Sequence, residues 1–173
     1  MRPALLLIDV QANMFDPAHS VESASLLLQR ITGLLAKARR EGAPIVFVRN
    51  CGNSGDPDAR GTSGWELQPP LRAEVGEIVL DKTTCDTFAS THLQEELAAR
   101  EVTSVVIAGL QSEFCILETT LGALARNLRV TLVADGHSTY PSADREAAEI
   151  SAAVNAALAG RVALVSAEEV RFD

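Results

Sequence analysis

Three side chains with usable chemistry stand where apolar runs give out: Asp9, Lys82 and Cys115. A carboxylate can take a proton, an ammonium can hold a neighbouring anion, and a deprotonated thiol can attack carbon. Asp9 stops the run from Ala4 to Val10, Lys82 follows Ile78–Leu80, and Cys115 lies just beyond Ser104–Leu110. In open parallel sheets, ligands bind outside the carboxyl ends of the strands, where the strand order reverses. Each residue also has a plainer reading: a turn aspartate, a solvated lysine, a small buried thiol. Spacing alone leaves both readings open.

The setting of Cys115 favours chemistry. Gly109 lies at the end of an apolar strand, and the turn from Leu110 to Phe114 leads into the cysteine and a helix. A thiol at a helix N-terminus is favoured as thiolate by the dipole and unpaired amides, and a nearby ammonium adds to this. The same amides can bind the oxyanion of a tetrahedral intermediate. Asp9 can then take the thiol proton and return it to a leaving amine.

Strands and helices must alternate to bring these residues together. Ala4 to Val10, Pro44 to Arg49, Ile78 to Leu80, Ser104 to Leu110, Val130 to Ala134 and Val162 to Val165 are expected strands. The continuous apolar runs suit strands buried on both faces. A helix is expected from Val21 to Glu41, capped by Ser20 and closed by Gly42, with Leu27, Leu28, Ile31, Leu34, Leu35 and Ala38 on its buried face. Thr91 and Gln94 make a capping box for a helix through Ala99. Further helices are expected near Cys115 and from Ser142 to Ala159, closed by Gly160. A polar stretch from Asn50 to Gly64 crosses the surface and is long enough to be functional. The alternation predicts one domain over 1–173: an α/β, three-layer, Rossmann-like fold with a mostly parallel six-stranded sheet and helices on both faces.

Composition narrows the partners. A net charge of −8 excludes binding driven by neutralising nucleic-acid phosphates. No apolar run approaches the roughly 20 residues that span a bilayer, and the opening run meets charge too soon for a signal peptide. Cys51, Cys85 and Cys115 are an odd set without metal-site spacing, which suits free thiols in the cytoplasm. His19, His92 and His137 include no pair at zinc-helix spacing. His19 and His92 read as structural or surface residues; His137, which follows the end of strand five, is the one placed to do otherwise.

Leu6 to Gln11 (Leu-Leu-Ile-Asp-Val-Gln), Lys82 to Thr91 and Gly109 to Thr119 (beginning Gly-Leu-Gln-Ser-Glu-Phe-Cys) lie in an order that resembles the isochorismatase-like hydrolases. That family includes nicotinamidases and carbamoyl-amide hydrolases. The resemblance implies a doubly wound sheet and an Asp-Lys-Cys triad, carried by Asp9, Lys82 and Cys115. It implies an oxyanion hole from the amides of Gln111 and Cys115, a cis peptide at Leu110–Gln111, and a homodimer or higher homo-oligomer. Phe15, Trp65 and Phe88 lie near the motifs or in the long loop and are expected either in the core or as walls of a substrate pocket.

Two departures bear on substrate. Metal-dependent nicotinamidases carry Asp-x-His and a further histidine near the end of strand two, where this chain reads Arg49-Asn50-Cys51-Gly52-Asn53. Neither a metal nor a cofactor is therefore expected. Gln111 is larger and more polar than the small residue usual there. The expected reaction is hydrolysis of a small amide or related C–N bond through a thioester on Cys115, with a small molecule as partner. The alternatives are cleavage of an isochorismate-like vinyl ether, which Cys115 argues against, and a non-catalytic small-molecule-binding domain of the same fold. A receiver domain would need a different pairing of acids, and a thiol-redox role lacks an evident resolving cysteine.

Overall fold

The computed structural model describes residues 3–173. Six strands form one sheet: β1 (Ala4–Ile8), β2 (Ile45–Asn50), β3 (Ile78–Lys82), β4 (Ser104–Leu110), β5 (Arg129–Ser138) and β6 (Ala163–Val165). Their order is β3-β2-β1-β4-β5-β6, and every pairing is parallel. The chain winds outward from β1 to β3 and then returns to place β4 on the other side of β1. That reversal opens a crevice above the carboxyl ends of β1 and β4.

Five helices complete the layers: α1 (Ala24–Glu41), α2 (Thr87–Ser90), α3 (Leu93–Ala99), α4 (Leu117–Ala125) and α5 (Ala147–Leu158). Side chains of a strand alternate between faces, and β1 divides accordingly. Leu5 and Leu7 pack with Leu27, Ile31, Leu34 and Leu35 of α1, together with Val170 and Phe172. Ala4, Leu6 and Ile8 pack on the other face with Leu93, Leu97, Ala123, Val154 and Leu158 of the later helices. Among the described residues, no helix is long and apolar enough to cross a membrane.

Helix starts depart from expectation. Ser20 does not cap α1, because Val21 donates its N–H to the carbonyl of Met14 and Glu22 donates to that of Thr139. Those bonds hold the chain out of helix until Ala24. Thr91 and Gln94 form no capping box. Thr91 Oγ1 donates to the Thr87 carbonyl and accepts from the Leu93 N–H, splitting the segment into α2 and α3, while Gln94 accepts from Arg126. Ser142 folds back on Arg145, so α5 begins only at Ala147, with Glu149 Oε2 accepting the Glu146 N–H. β5 runs four residues beyond Ala134, to Ser138. Gly42 ends α1 in the left-handed region, as expected (φ 66°).

Candidate active site

Parallel register brings three strand ends to one place. Asp9 follows β1 with φ 52° and donates its N–H to the Val48 carbonyl at 2.9 Å, which turns its side chain out of the strand pattern. Lys82 is the last residue of β3, paired with Asn50 of β2. Cys115 lies in a π-helical turn (Ser112–Ile116) between β4 and α4. Gly109 permits this geometry: its φ is 132°, and a Cβ there would overlap the Ile8 carbonyl oxygen of β1. The Leu110–Gln111 peptide is cis, as the resemblance implied.

Lys82 is the hub. Its Nζ lies 2.8 Å from Asp9 Oδ2, 3.2 Å from Cys115 Sγ and 3.2 Å from Asn50 Oδ1. An ammonium has three protons, one for each of these contacts. Lys82 and Asp9 are both essentially inaccessible, at 0% and 1% exposure. Burial works against the ammonium, but Asp9 and Cys115 outweigh it and raise the Lys82 pKa. Burial raises the Asp9 carboxyl above its ordinary value despite the counteracting ammonium. Asp9 Oδ1, also buried, has no hydrogen-bond partner among the described residues.

At the thiol, burial works against the expected thiolate. Burial, followed by the Asp9 charge, pushes Cys115 well above the ordinary thiol range, and Lys82 offsets only part of this. That shift favours the protonated form, so attack calls for a base to take the Sγ proton.

Asn50 is a member of this constellation that the motifs did not single out. Its Oδ1 accepts from Lys82, its Nδ2 donates to Asp58 Oδ2 at 2.7 Å, and its main chain is clamped by the buried Gln11 amide. The signal in the sequence was its position, at the end of strand two and the start of the polar stretch. Among the described residues there is no group of three or more His, Cys, Asp or Glu side chains able to hold a metal ion.

Only one of the three aromatics lines a cleft next to the Asp9 segment. Phe15 lies with Asn13, Asp16, His19 and Gln68 along an open cleft of about 770 Å³, which none of Asp9, Lys82 and Cys115 lines. Trp65 is a peg for the long loop: Arg49 stacks 3.5 Å from its ring centroid, and its indole N–H donates to Cys51 Sγ. Phe88 packs in the core beneath the Arg126 guanidinium, 4.6 Å from the ring centroid, and lines a cavity with Val102 and Leu128 at the opposite end of the strands. Phe88 thus takes the core alternative, while Trp65 braces the loop.

The isochorismatase domain model matches residues 3–163. The chain belongs to the isochorismatase family. A streptothricin hydrolase of Streptomyces noursei is 41% identical over 162 residues, which cover 92% of this chain and 57% of that protein. The chain therefore spans little more than half the length of this family member. The ureidoacrylate amidohydrolase of Methylobacterium radiotolerans is 25% identical over 83% of this chain and 70% of its own length. Among solved isochorismatase structures, one from Pseudomonas putida superposes with a TM-score of 0.92 at 25% identity, covering 98% of this chain and 90% of that one.

Proposed function

We propose that this isochorismatase-family chain hydrolyses a small amide or related C–N bond through an acyl-thioester on Cys115. The observation that carries the reading is the open lone pair of Asp9 Oδ1 in a site whose other polar contacts converge on Lys82. The fixed ammonium keeps Asp9 and Cys115 together and compensates the charge that passes between them. The ureidoacrylate amidohydrolase supports the reaction class, and the streptothricin hydrolase supports hydrolysis.

The steps follow from the protonation states. Asp9 takes the thiol proton as Sγ attacks the carbonyl carbon, and the oxyanion forms beside the amides of Gln111 and Cys115. A carboxylate whose pKa burial has raised is a stronger base toward a reluctant thiol than an exposed one. The tetrahedral intermediate expels nitrogen as the C–N bond breaks, and Asp9 returns the proton to the departing amine. Water then attacks the thioester, gives a proton to Asp9, and releases the acid as Sγ recovers its hydrogen. Phe15, which lines the cleft beside the segment after Asp9, is the aromatic assigned to substrate contact in this reading.

The test is a panel of primary amides, ureido compounds and lactams, assayed for ammonia, amine or ring-opened product. Asp9→Asn and Cys115→Ala should each lose at least about a thousandfold in turnover on the best substrate. Near-normal turnover in either variant would refute the reading.

A further inference from the structure

We propose that Ser112 and His137 act as a positioning pair that holds the oxyanion side of the Cys115 turn in register from behind. The proposal rests on the reading of Cys115 as nucleophile, and neither residue touches the reacting atoms.

Ser112 opens the turn and is fully buried, and His137 of β5 is 5% exposed. Ser112 Oγ lies 2.8 Å from His137 Nδ1 and 2.9 Å from Ser151 Oγ of α5. His137 Nε2 lies 3.0 Å from Asn155 Oδ1, and Asn155 Nδ2 donates to the Ala134 carbonyl at 3.0 Å. Every proton in this chain can be assigned. The Ala134 carbonyl only accepts, so the Asn155 amide must present its nitrogen there and its oxygen to the imidazole. That oxygen also only accepts, so Nε2 carries the hydrogen. Burial holds the ring in its neutral form, leaving Nδ1 bare to accept the Ser112 O–H. The Ser112 oxygen then receives the Ser151 O–H.

The result is a one-directional chain linking α5, β5 and the turn. It occurs where β5 breaks register: Ile107 pairs with Leu132, but Gly109 pairs with His137. The irregularity seats the imidazole opposite the last residues of β4, against the turn that carries Gln111 and Cys115. A buried polar network whose members are all satisfied specifies one geometry, because any rotated alternative leaves a donor or acceptor unpaired in the core. Here that geometry belongs to the first residue of the turn whose amides are proposed to meet the oxyanion.

The test separates oxyanion positioning from thiol access. Alkylation by iodoacetamide is a substitution at saturated carbon and passes through no oxyanion, whereas hydrolysis requires one. Ser112→Ala and His137→Leu, shown to be folded by circular dichroism, should lower kcat on the fastest panel substrate by about tenfold or more, less than the loss of an oxyanion donor. KM and the alkylation rate of Cys115 should stay within about twofold of the parent, and Ser112→Thr, which keeps the hydroxyl, should restore kcat. The proposal is overturned if kcat is unchanged in both variants, if alkylation falls in parallel with kcat, or if Ser112→Thr is as impaired as Ser112→Ala. Cys115→Ala serves as control: its retained turnover would defeat the nucleophile reading itself, and this proposal with it.

Discussion

Replacing Lys82 by Met should destabilise the protein in a way that depends on pH and on Asp9. The substitution removes an inaccessible ammonium and leaves Asp9 and Asn50 facing an apolar side chain. Breaking one partner of a buried pair costs about 3–5 kcal/mol, against about 0.5 kcal/mol for a solvated lysine. The loss has a ceiling, because Asp9 can neutralise itself by binding a proton. Its folded pKa is already raised and rises further without the cation, so the native variant binds more protons than the unfolded chain. Stability must then fall as pH increases, by up to about 1.4 kcal/mol per unit between the unfolded carboxyl value and the folded one. Urea unfolding at pH 6 and pH 9 of the parent, Lys82→Met, Asp9→Asn and the double variant measures this. The single lysine variant should lose more at pH 9, and the double variant should recover most of the loss, since neither charge remains. A loss under about 0.5 kcal/mol at both pH values, or a double variant no better than the single one, would refute the reasoning.

Three further outcomes are expected. Gly109→Ala should destabilise by about 3 kcal/mol or more and abolish turnover, read by urea unfolding and assay, because both φ and the Ile8 carbonyl exclude a Cβ. The pH profile of kcat/KM should lose activity as pH falls through the raised pKa of Asp9, above the ordinary carboxylate range near ~4, because the base must be ionised; a flat profile down to that range would contradict it. Exhaustive chelation should leave turnover unchanged, since Arg49-Asn50-Cys51-Gly52-Asn53 offers no histidine and the Asn50 amide is committed to Lys82 and Asp58; loss of activity restored by zinc or iron would show otherwise.

Much of the architecture is legible in sequence because it depends on local pattern. β4 spans Ser104–Leu110 as read, since an apolar run bounded by polar residues and a glycine has few other uses. The positions of Asp9 and Lys82 were legible for the same reason: strand ends in a parallel sheet share one edge. Helix starts were not, because the Val21 and Glu22 amides go to Met14 and Thr139, partners distant in the chain or outside any helix pattern. The upward shift of the Cys115 thiol was equally hidden. Helix-terminus and ammonium effects can be read locally, whereas burial and the closeness of Asp9, which prevail, belong to the assembled site. Asn50 and the Ser112–His137–Asn155 chain were illegible as contacts, although Asn50 and His137 both stood at strand ends.

The central claim is that Cys115 carries the acyl group, and intact-protein mass spectrometry tests it most directly. A reaction on the fastest panel substrate is quenched in acid during turnover, and the protein and its peptides are weighed. The account predicts a mass increase equal to the acyl portion of the substrate, mapped to Cys115, absent from Cys115→Ala and accumulating with amines that leave quickly. An unmodified Cys115 throughout turnover, with full activity retained by Cys115→Ala, would contradict it.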